Sequence, residues 1–202
     1  YGIIGLLGYF AARKTGLPGI YSPEGGWRRW VVIPLLLSIP CALGLIFGDL
    51  LFAPINGLGL FPHPTFPLSF FASISAGIGE EILFRLFVFS VWALLLTWLF
   101  KRFNGRTAAL WIANVIAALG FAAGHLFSLA MISGAAVFDS SGSMTFLFDK
   151  INPVLVTEAF LLNGVIGLLA GWRYMKDGLV AAVGVHFWTD IFWHVLWGLF
   201  PG

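Results

Sequence analysis

Apolar residues dominate this chain in long runs that are separated by short polar connections. A membrane-spanning helix needs about 20 mostly apolar residues, and the two-residue alternation of β-barrel strands is absent from these runs. We therefore predict an all-α fold, a polytopic bundle of transmembrane helices with about six hydrophobic segments. The segments are residues 1–12, 30–53, 67–100, 107–133, 153–174 and 179–200.

Two of these segments have unusual lengths. Residues 1–12 are too few to cross a bilayer, and because the chain begins at Tyr1 rather than Met, we expect the native start to lie upstream. Residues 67–100 would form a helix of about 50 Å at about 1.5 Å per residue, so this helix must tilt, kink or extend beyond the bilayer. No secretory signal peptide is recognisable at the N-terminus.

The composition restricts the class of protein. Of 202 residues, 59% are hydrophobic and 10% are charged, whereas soluble domains carry about 25% charged residues. Abundant apolar surface excludes intrinsic disorder, and the single cysteine, Cys41, excludes an internal disulfide. The net charge of +2 gives no indication of a nucleic-acid partner. We predict one integral-membrane domain over residues 1–202, in contact with the lipid bilayer.

Basic residues are concentrated in alternate connections between the segments. The first, third and fifth connections carry nine of them, whereas the even connections hold only Lys150. Under the positive-inside rule the odd connections are cytoplasmic, and we expect a multi-pass protein of the cytoplasmic membrane of a prokaryote. The nine residues are Arg13, Lys14, Arg28, Arg29, Lys101, Arg102, Arg106, Arg173 and Lys176.

Seven ionisable residues fall inside the apolar segments. A charged side chain at the centre of a membrane helix costs about 2.5–3.5 kcal/mol on insertion scales, and such groups are functional candidates by default. We expect them to pair with one another or to line a wet cavity; a purely structural cluster of ion pairs is the alternative interpretation. The residues are Glu80, Glu81, Arg85, His125, Glu158, His186 and Asp190.

Helical spacing predicts how the first three of these residues pair. Glu81 and Arg85 are four positions apart with the acid N-terminal, which favours an ion pair on one helix face. Glu80 is rotated by about 100° from Glu81 and faces elsewhere. We therefore predict a structural Glu81–Arg85 pair and a free Glu80 that can act as a general acid or base.

Two later segments carry histidines at helical spacing. Phe121 and His125 share a face of the fourth segment, and His186 and Asp190 share a face of the sixth. Because each polar group is costly in lipid unless it meets the others or water, we expect His125, His186 and Asp190 to face one polar cavity together with Glu80.

Other polar residues receive a structural interpretation. His194 continues the stripe of His186 and Asp190, but we interpret it as an interfacial ring among tryptophans. His63 lies in the proline-rich second connection, where we expect it to face solvent. Glu158 and Asn163 are expected to form hydrogen bonds between helices. Residues 139–145 are expected to form an outer loop.

Several familiar catalytic motifs are absent from the sequence. There is no H-E-x-x-H, no G-x-S and no Walker A motif. A glutamate, two histidines and an aspartate on three helices suit the activation of water. Whether a divalent metal such as zinc takes part stays open, and its ligands would be Glu80, His125, His186 and Asp190.

Three short motifs occur in order on predicted spans: Glu80-Glu81-x-x-x-Arg85, Phe121-x-x-x-His125 and His186-x-x-x-Asp190. Together they resemble the motifs of the CAAX prenyl protease and bacteriocin-processing (CPBP, or Abi) intramembrane proteases. The resemblance covers about residues 67–195. It implies that Glu80 and His125 hold the attacking water, that His186 and Asp190 stabilise the oxyanion, and that Glu81 and Arg85 are structural.

By the same resemblance the protein is an intramembrane endopeptidase whose substrate is a lipidated peptide or a membrane protein. Asp190 departs from the asparagine of the prenyl-protease branch. An ionised aspartate cannot donate a hydrogen bond to an oxyanion, so Asp190 would have to be protonated, position His186 or bind a metal. Two other functions stay open: a non-catalytic subunit or chaperone of a membrane complex with partner subunits, and a proton-coupled transporter.

Overall fold

The computed structural model describes residues 1–200 and consists mainly of six helices. The helices α2 to α6 are each long and apolar enough to cross a membrane, whereas α1, with 14 residues, is not. The predicted all-α membrane bundle is confirmed. In chain order the helices are α1 (Gly2–Thr15), α2 (Arg28–Phe52), α3 (Leu68–Phe103), α4 (Arg106–Ile132), α5 (Pro153–Asp177) and α6 (Leu179–Leu199).

Helix α3 changes its winding near the middle of its 36 residues. The stretch Ile82–Phe89 is π-helical, and the last turn, Phe100–Phe103, is a 3₁₀-helix. A second π-helical stretch, Ile191–Leu196, lies in α6, and a third, Arg28–Val32, begins α2. Widened turns are uncommon and often accompany functional sites. Those in α3 and α6 begin directly after Glu81 and Asp190.

Helix α1 packs on the π-helical part of α3. Its Gly8 lies directly against the backbone of Leu86 and Phe87, and Ala12 belongs to the same buried cluster as Phe89. The absence of a side chain at Gly8 is what allows the two backbones to come so close. Helix α1 therefore supports the centre of α3 from outside.

Helices α4 and α5 approach each other along small residues. A Cβ at Gly167 would lie 3.0 Å from the Cα of Ala118. One turn away, Asn114 Nδ2 donates a hydrogen bond of 3.0 Å to the carbonyl of Leu168. Close helix packing of this kind relies on small residues and on interhelical hydrogen bonds in a membrane, where the hydrophobic effect between helices is weak.

The connection between α4 and α5 contains a short antiparallel hairpin that the sequence analysis missed. Its strands are β1 (Ala136–Phe138) and β2 (Met144–Phe146). The carboxylate of Asp139 accepts hydrogen bonds from the backbone N–H groups of Ser141 and Ser143 and closes the turn. A hydrogen bond from the Ser141 hydroxyl, together with these backbone hydrogen bonds, holds the pKa of Asp139 below its usual value.

Candidate active site

A cavity of about 340 Å³ lies between the five helices α2 to α6 and the connection formed by residues 53–67. Glu80 on α3, His125 on α4, and His186 and Asp190 on α6 all line this cavity. The structure therefore brings together the four residues that the sequence analysis singled out, although they come from three helices.

Glu81 is completely buried beside the cavity and contacts two basic side chains. Its Oε2 lies 3.1 Å from Nε of Arg85, and its Oε1 accepts a hydrogen bond of 3.0 Å from Nδ1 of His186. Arg85 in turn donates to the carbonyl of Gly167 at 3.3 Å, and its guanidinium lies 4.5 Å from the ring centroid of Phe121. The predicted Glu81–Arg85 pair is present, and it extends to His186.

His186 is held between two carboxylates. Glu81 accepts from its Nδ1, and Nε2 lies 3.6 Å from Oδ2 of Asp190. The imidazole is buried, and the ring of Phe121 packs edge-to-face against it at 5.2 Å. This environment is complementary to the imidazolium form, which has an N–H on each nitrogen. The Nε2–Oδ2 separation is longer than a good hydrogen bond, so the Nε2–H can also reach a second acceptor.

His125 makes a hydrogen bond within its own helix. Its Nδ1 lies 2.9 Å from the carbonyl oxygen of Phe121, one turn earlier. A carbonyl only accepts, so Nδ1 donates and the neutral ring keeps its lone pair on Nε2. The ring of Phe121 packs against the imidazole at 4.9 Å and restricts its rotation. His125 therefore offers a fixed acceptor nitrogen at the cavity.

Glu80 differs from Glu81 in both exposure and partners. It is half-buried at the cavity wall, and within residues 1–200 its carboxylate makes no hydrogen bond or ion pair. The helical rotation between adjacent residues separates the two carboxylates as predicted: one is bound to basic groups and the other is available to the cavity.

The outer part of the cavity contains polar residues that the sequence analysis did not assign to the site. Asp49, Glu158, Asn163 and His194 all line it. Asn163 donates only to its own helix, at the carbonyl of Ala159, so the interhelical bond expected for it is not formed.

The two carboxylates among these residues hold the connection 53–67 in place. Glu158 Oε2 accepts a hydrogen bond of 2.9 Å from Nδ2 of Asn56, and Asp49 Oδ1 accepts one of 3.0 Å from the backbone N–H of Phe61. Both carboxylates are fully buried. The connection therefore folds back over the cavity as a roof, and we refer to residues 53–67 as the roof connection.

The prediction that His63 faces solvent is wrong. His63 is half-buried, and its Nδ1 lies 3.1 Å from Nδ1 of His194, so one imidazole donates and the other accepts. The ring of Trp193 packs edge-to-face against His63 at 4.6 Å. Burial lowers the pKa of His63. His194 does lie among tryptophans, but the four-residue spacing from Asp190 was the signal that it also reaches the cavity.

The donor atoms do not form a ready metal site. Among the side chains that the structure describes, no three from His, Cys, Asp and Glu are arranged to hold one metal ion. The zinc site considered from the sequence is therefore not formed in this arrangement.

Comparison with known proteins identifies one family. A family model described as type II CAAX prenyl endopeptidase, Rce1-like, matches residues 62–192, which are 131 of the 202 residues. The matched region contains all three motifs. No curated protein and no solved structure matches the chain.

Proposed function

The chain belongs to the Rce1-like family of type II CAAX prenyl endopeptidases, and from this premise we propose that it hydrolyses peptide bonds with a water activated by Glu80 and His125. It is an integral membrane protein with five helices long enough to span a bilayer. The observation that carries the proposal is the shared cavity, which Glu80, His125, His186 and Asp190 all line.

Glu80 acts as the general base. Its free carboxylate takes one proton from a water molecule, and Nε2 of His125 accepts a hydrogen bond from the other hydrogen and orients the water. The water oxygen bonds to the carbonyl carbon of the scissile peptide, and the carbonyl electron pair moves to its oxygen. The tetrahedral intermediate then releases the amine, which takes the proton from Glu80. One carboxyl terminus and one amino terminus result.

His186 stabilises the oxyanion of that intermediate. Its Nε2–H is the donor, because Nδ1–H is already engaged by Glu81 at 3.0 Å. A preorganised donor of this kind, aimed where negative charge develops, is commonly the largest single contribution to catalysis. Of the three roles open to Asp190, we assign it the positioning of His186, since its Oδ2 lies 3.6 Å from Nε2 of that ring.

The test is the substitution Glu80→Gln. The amide cannot take a proton from water, so cleavage of a farnesylated CAAX peptide or a leader-type peptide by the purified protein should fall by about 10²–10⁴-fold, the usual contribution of a general base. The fold should persist because Glu80 makes no ion pair in residues 1–200. Glu24→Gln, at an exposed position far from the cavity, is the matched control.

Equal cleavage by the Glu80→Gln variant and the unsubstituted protein would overturn the mechanism. Absence of cleavage by both would favour the two other functions left open by the sequence, a non-catalytic subunit or chaperone with this fold and a proton-coupled transporter.

A further inference from the structure

The cavity lies toward one end of the helix bundle. Its outer walls are the last turns of α2 and α4, the first turns of α5 and the roof connection, represented by Asp49, Ser128, Ile132, Glu158 and Pro62. At its opposite end His186 contacts the fully buried Glu81. The cavity therefore extends from the site toward the ends of the helices that the roof connection joins.

Charge assigns this end of the molecule to one side of the membrane. Of the 11 basic residues, nine lie at the opposite end, in or beside the connections α1–α2, α3–α4 and α5–α6. Only Lys150 lies at the cavity end, and Arg85 is inside the bundle. Under the positive-inside rule the basic end is cytoplasmic. The cavity end is then the non-cytoplasmic end.

A second cavity, of about 430 Å³, lies at the basic end beside Arg29 and Asp177, and it shares no lining residue with the cavity that contains Glu80. The backbone N–H groups of Leu179 and Val180 donate to the carbonyls of Gly19 and Ile20, at 2.9 and 3.0 Å, so the first connection lies on the junction of α5 and α6. Asp177 is buried between Arg173 and Arg29 at this junction.

Between the site and the basic end of the bundle, packed side chains fill the interior. The buried hydroxyl of Tyr174 shares a hydrogen bond of 2.7 Å with Ser90, and Phe89 packs against the Tyr174 ring at 5.4 Å. All three side chains are essentially inaccessible. No residue of the three basic connections lines the cavity. The cavity that contains Glu80 therefore does not extend to the basic connections.

At the non-cytoplasmic end, by contrast, the wall of the cavity reaches the surface of the molecule. Ser128 and Ile132, on the last turns of α4, are exposed and also line the cavity. His125 lies seven residues before the end of α4, which is about 10 Å along the helix axis. A chain segment entering between α4 and the roof connection reaches His125 within a few residues.

We propose that substrate enters from the non-cytoplasmic face, so that the protein cleaves a polypeptide segment presented at that surface rather than a lipidated C-terminus on the cytoplasmic side. The cleavage itself rests on the function proposed above. The route of entry rests on the cavity and on the distribution of charge.

Thiol labelling tests the route without any measurement of activity. In a Cys41→Ala background, which has no other cysteine, Ser128→Cys reports on the cavity wall. Ser140→Cys in the outer hairpin turn and Glu24→Cys in the first connection are exposed reference positions. Each variant is exposed to a membrane-impermeant maleimide in intact cells and in inverted vesicles. Asn163→Cys, on the α5 side of the cavity, replaces Ser128→Cys if that variant does not fold.

The expected result is that the cavity cysteine and Ser140→Cys react only in intact cells, and Glu24→Cys only in inverted vesicles. Reaction of the cavity cysteine in inverted vesicles, in both preparations or in neither would overturn the proposed route. The same holds if Ser140→Cys and Glu24→Cys exchange their sides.

A peptide experiment then separates the two proposals. An unlipidated leader-type peptide is placed on one side of proteoliposomes whose protein orientation has been measured. Cleavage should occur only from the non-cytoplasmic side and be lost in Glu80→Gln. Cleavage only from the cytoplasmic side would contradict the route and leave the peptidase function intact. Outer labelling without cleavage from either side would support the route and contradict the peptidase function.

Discussion

Glu81 contacts Arg85 and His186 at a place where all three side chains are almost completely withdrawn from solvent. Charged groups so deeply buried are tolerated only as a set, because each one compensates the desolvation of the others. Glu80, one residue earlier, is half-buried and has no such partners within residues 1–200. The two adjacent glutamates therefore differ in environment: Glu81 is held by buried basic groups and Glu80 faces the cavity.

This difference predicts unequal effects on stability. Glu81→Ala leaves Arg85 as an unpaired buried cation and removes the acceptor of His186, so it should destabilise the fold by about 3–5 kcal/mol, the usual cost of breaking a buried pair from one side. Glu80→Ala is the matched control and should change stability little. Thermal unfolding of both variants in the same detergent gives the comparison. A Glu80 variant less stable than the Glu81 variant would reverse the assignment.

The different environments of these glutamates could be predicted from the sequence because helical rotation depends only on local spacing. The contact between Glu81 and His186 could not, since it joins positions 105 residues apart and periodicity does not say which helices are neighbours. The error at His63 has a similar cause. A proline-rich connection looks solvent-exposed by composition, and only the tertiary fold brings it onto His194.

Among the elements, α1 is too short to span a bilayer and contributes through packing on the π-helical part of α3. Gly8 marks the closest approach, since any side chain there would meet the backbone of Leu86 and Phe87. The backbone on both sides is helical and cannot move aside without disturbing Arg85, the residue before Leu86. The position of α1 is therefore coupled to the site.

Gly8→Val should consequently destabilise the protein. Forcing extra atoms into a packed contact typically costs about 1–3 kcal/mol, and more where backbone must move. Gly44→Val on α2 is the matched control, because nothing lies within 4 Å of a Cβ at that position. Comparison of melting temperatures measures the difference. Equal melting temperatures for the two variants would show that α1 is not held against α3 at Gly8.

The roof connection should loosen in acid. Burial lowers the pKa of His63 relative to its ordinary value of about 6.5. His63 therefore binds a proton more readily when the roof connection has come away from the helices (undocked) than when it is packed against them (docked). The contribution of His63 to docking is full above about pH 6.5 and is lost as the pH falls through its lower, docked-state pKa.

Amide hydrogen exchange of residues 53–67 at several pH values, corrected for intrinsic exchange rates, measures this effect. Protection should fall as the pH decreases below about 6.5. In His63→Gln, which has no imidazole to protonate, the dependence on pH should shrink. An identical pH dependence in this variant would exclude His63 as its origin.

The molecule as a whole presents large apolar side chains on its outside. Phe47 and Leu51 on α2 and Val165 on α5 are 66%, 71% and 55% exposed. Such a surface would be unfavourable in water, but hydrocarbon tails are as apolar as the side chains. Phe47, Leu51 and Val165 therefore belong to the surface that contacts lipid.

Two valines of similar exposure test this assignment. Val165 lies at the midpoint of α5, and Val137, which is 47% exposed, lies in the outer hairpin. Val165→Asp places a charge at the centre of a span and should cost about 2.5–3.5 kcal/mol on insertion scales. Val137→Asp should be tolerated. The yield of folded protein in membranes measures both effects, and equal yields would contradict the placement of α5 in the bilayer.

Membrane spans are predictable from the sequence because each is a continuous run of mostly apolar residues. The hairpin was missed because its strands have three residues each and its turn is a polar run. The cavity could not be located from the sequence either. Counted from the first residues of their helices, Arg106 and Leu179, His125 and His186 lie about 28 Å and about 10 Å along the helix axes. Only the packing of the helices brings both to one cavity.

The π-helical stretch Ile82–Phe89 also affects how related chains should be aligned. Each residue turns an α-helix by about 100°, and a π-helical turn holds more residues than the α-helical turn that it replaces. A relative in which this part of α3 is α-helical throughout would therefore be shorter here if it kept the same faces on both sides. The alignment gap would fall between Glu81 and Ser90. A gap placed before Glu80 instead would assign the two glutamates to the wrong residues of that relative.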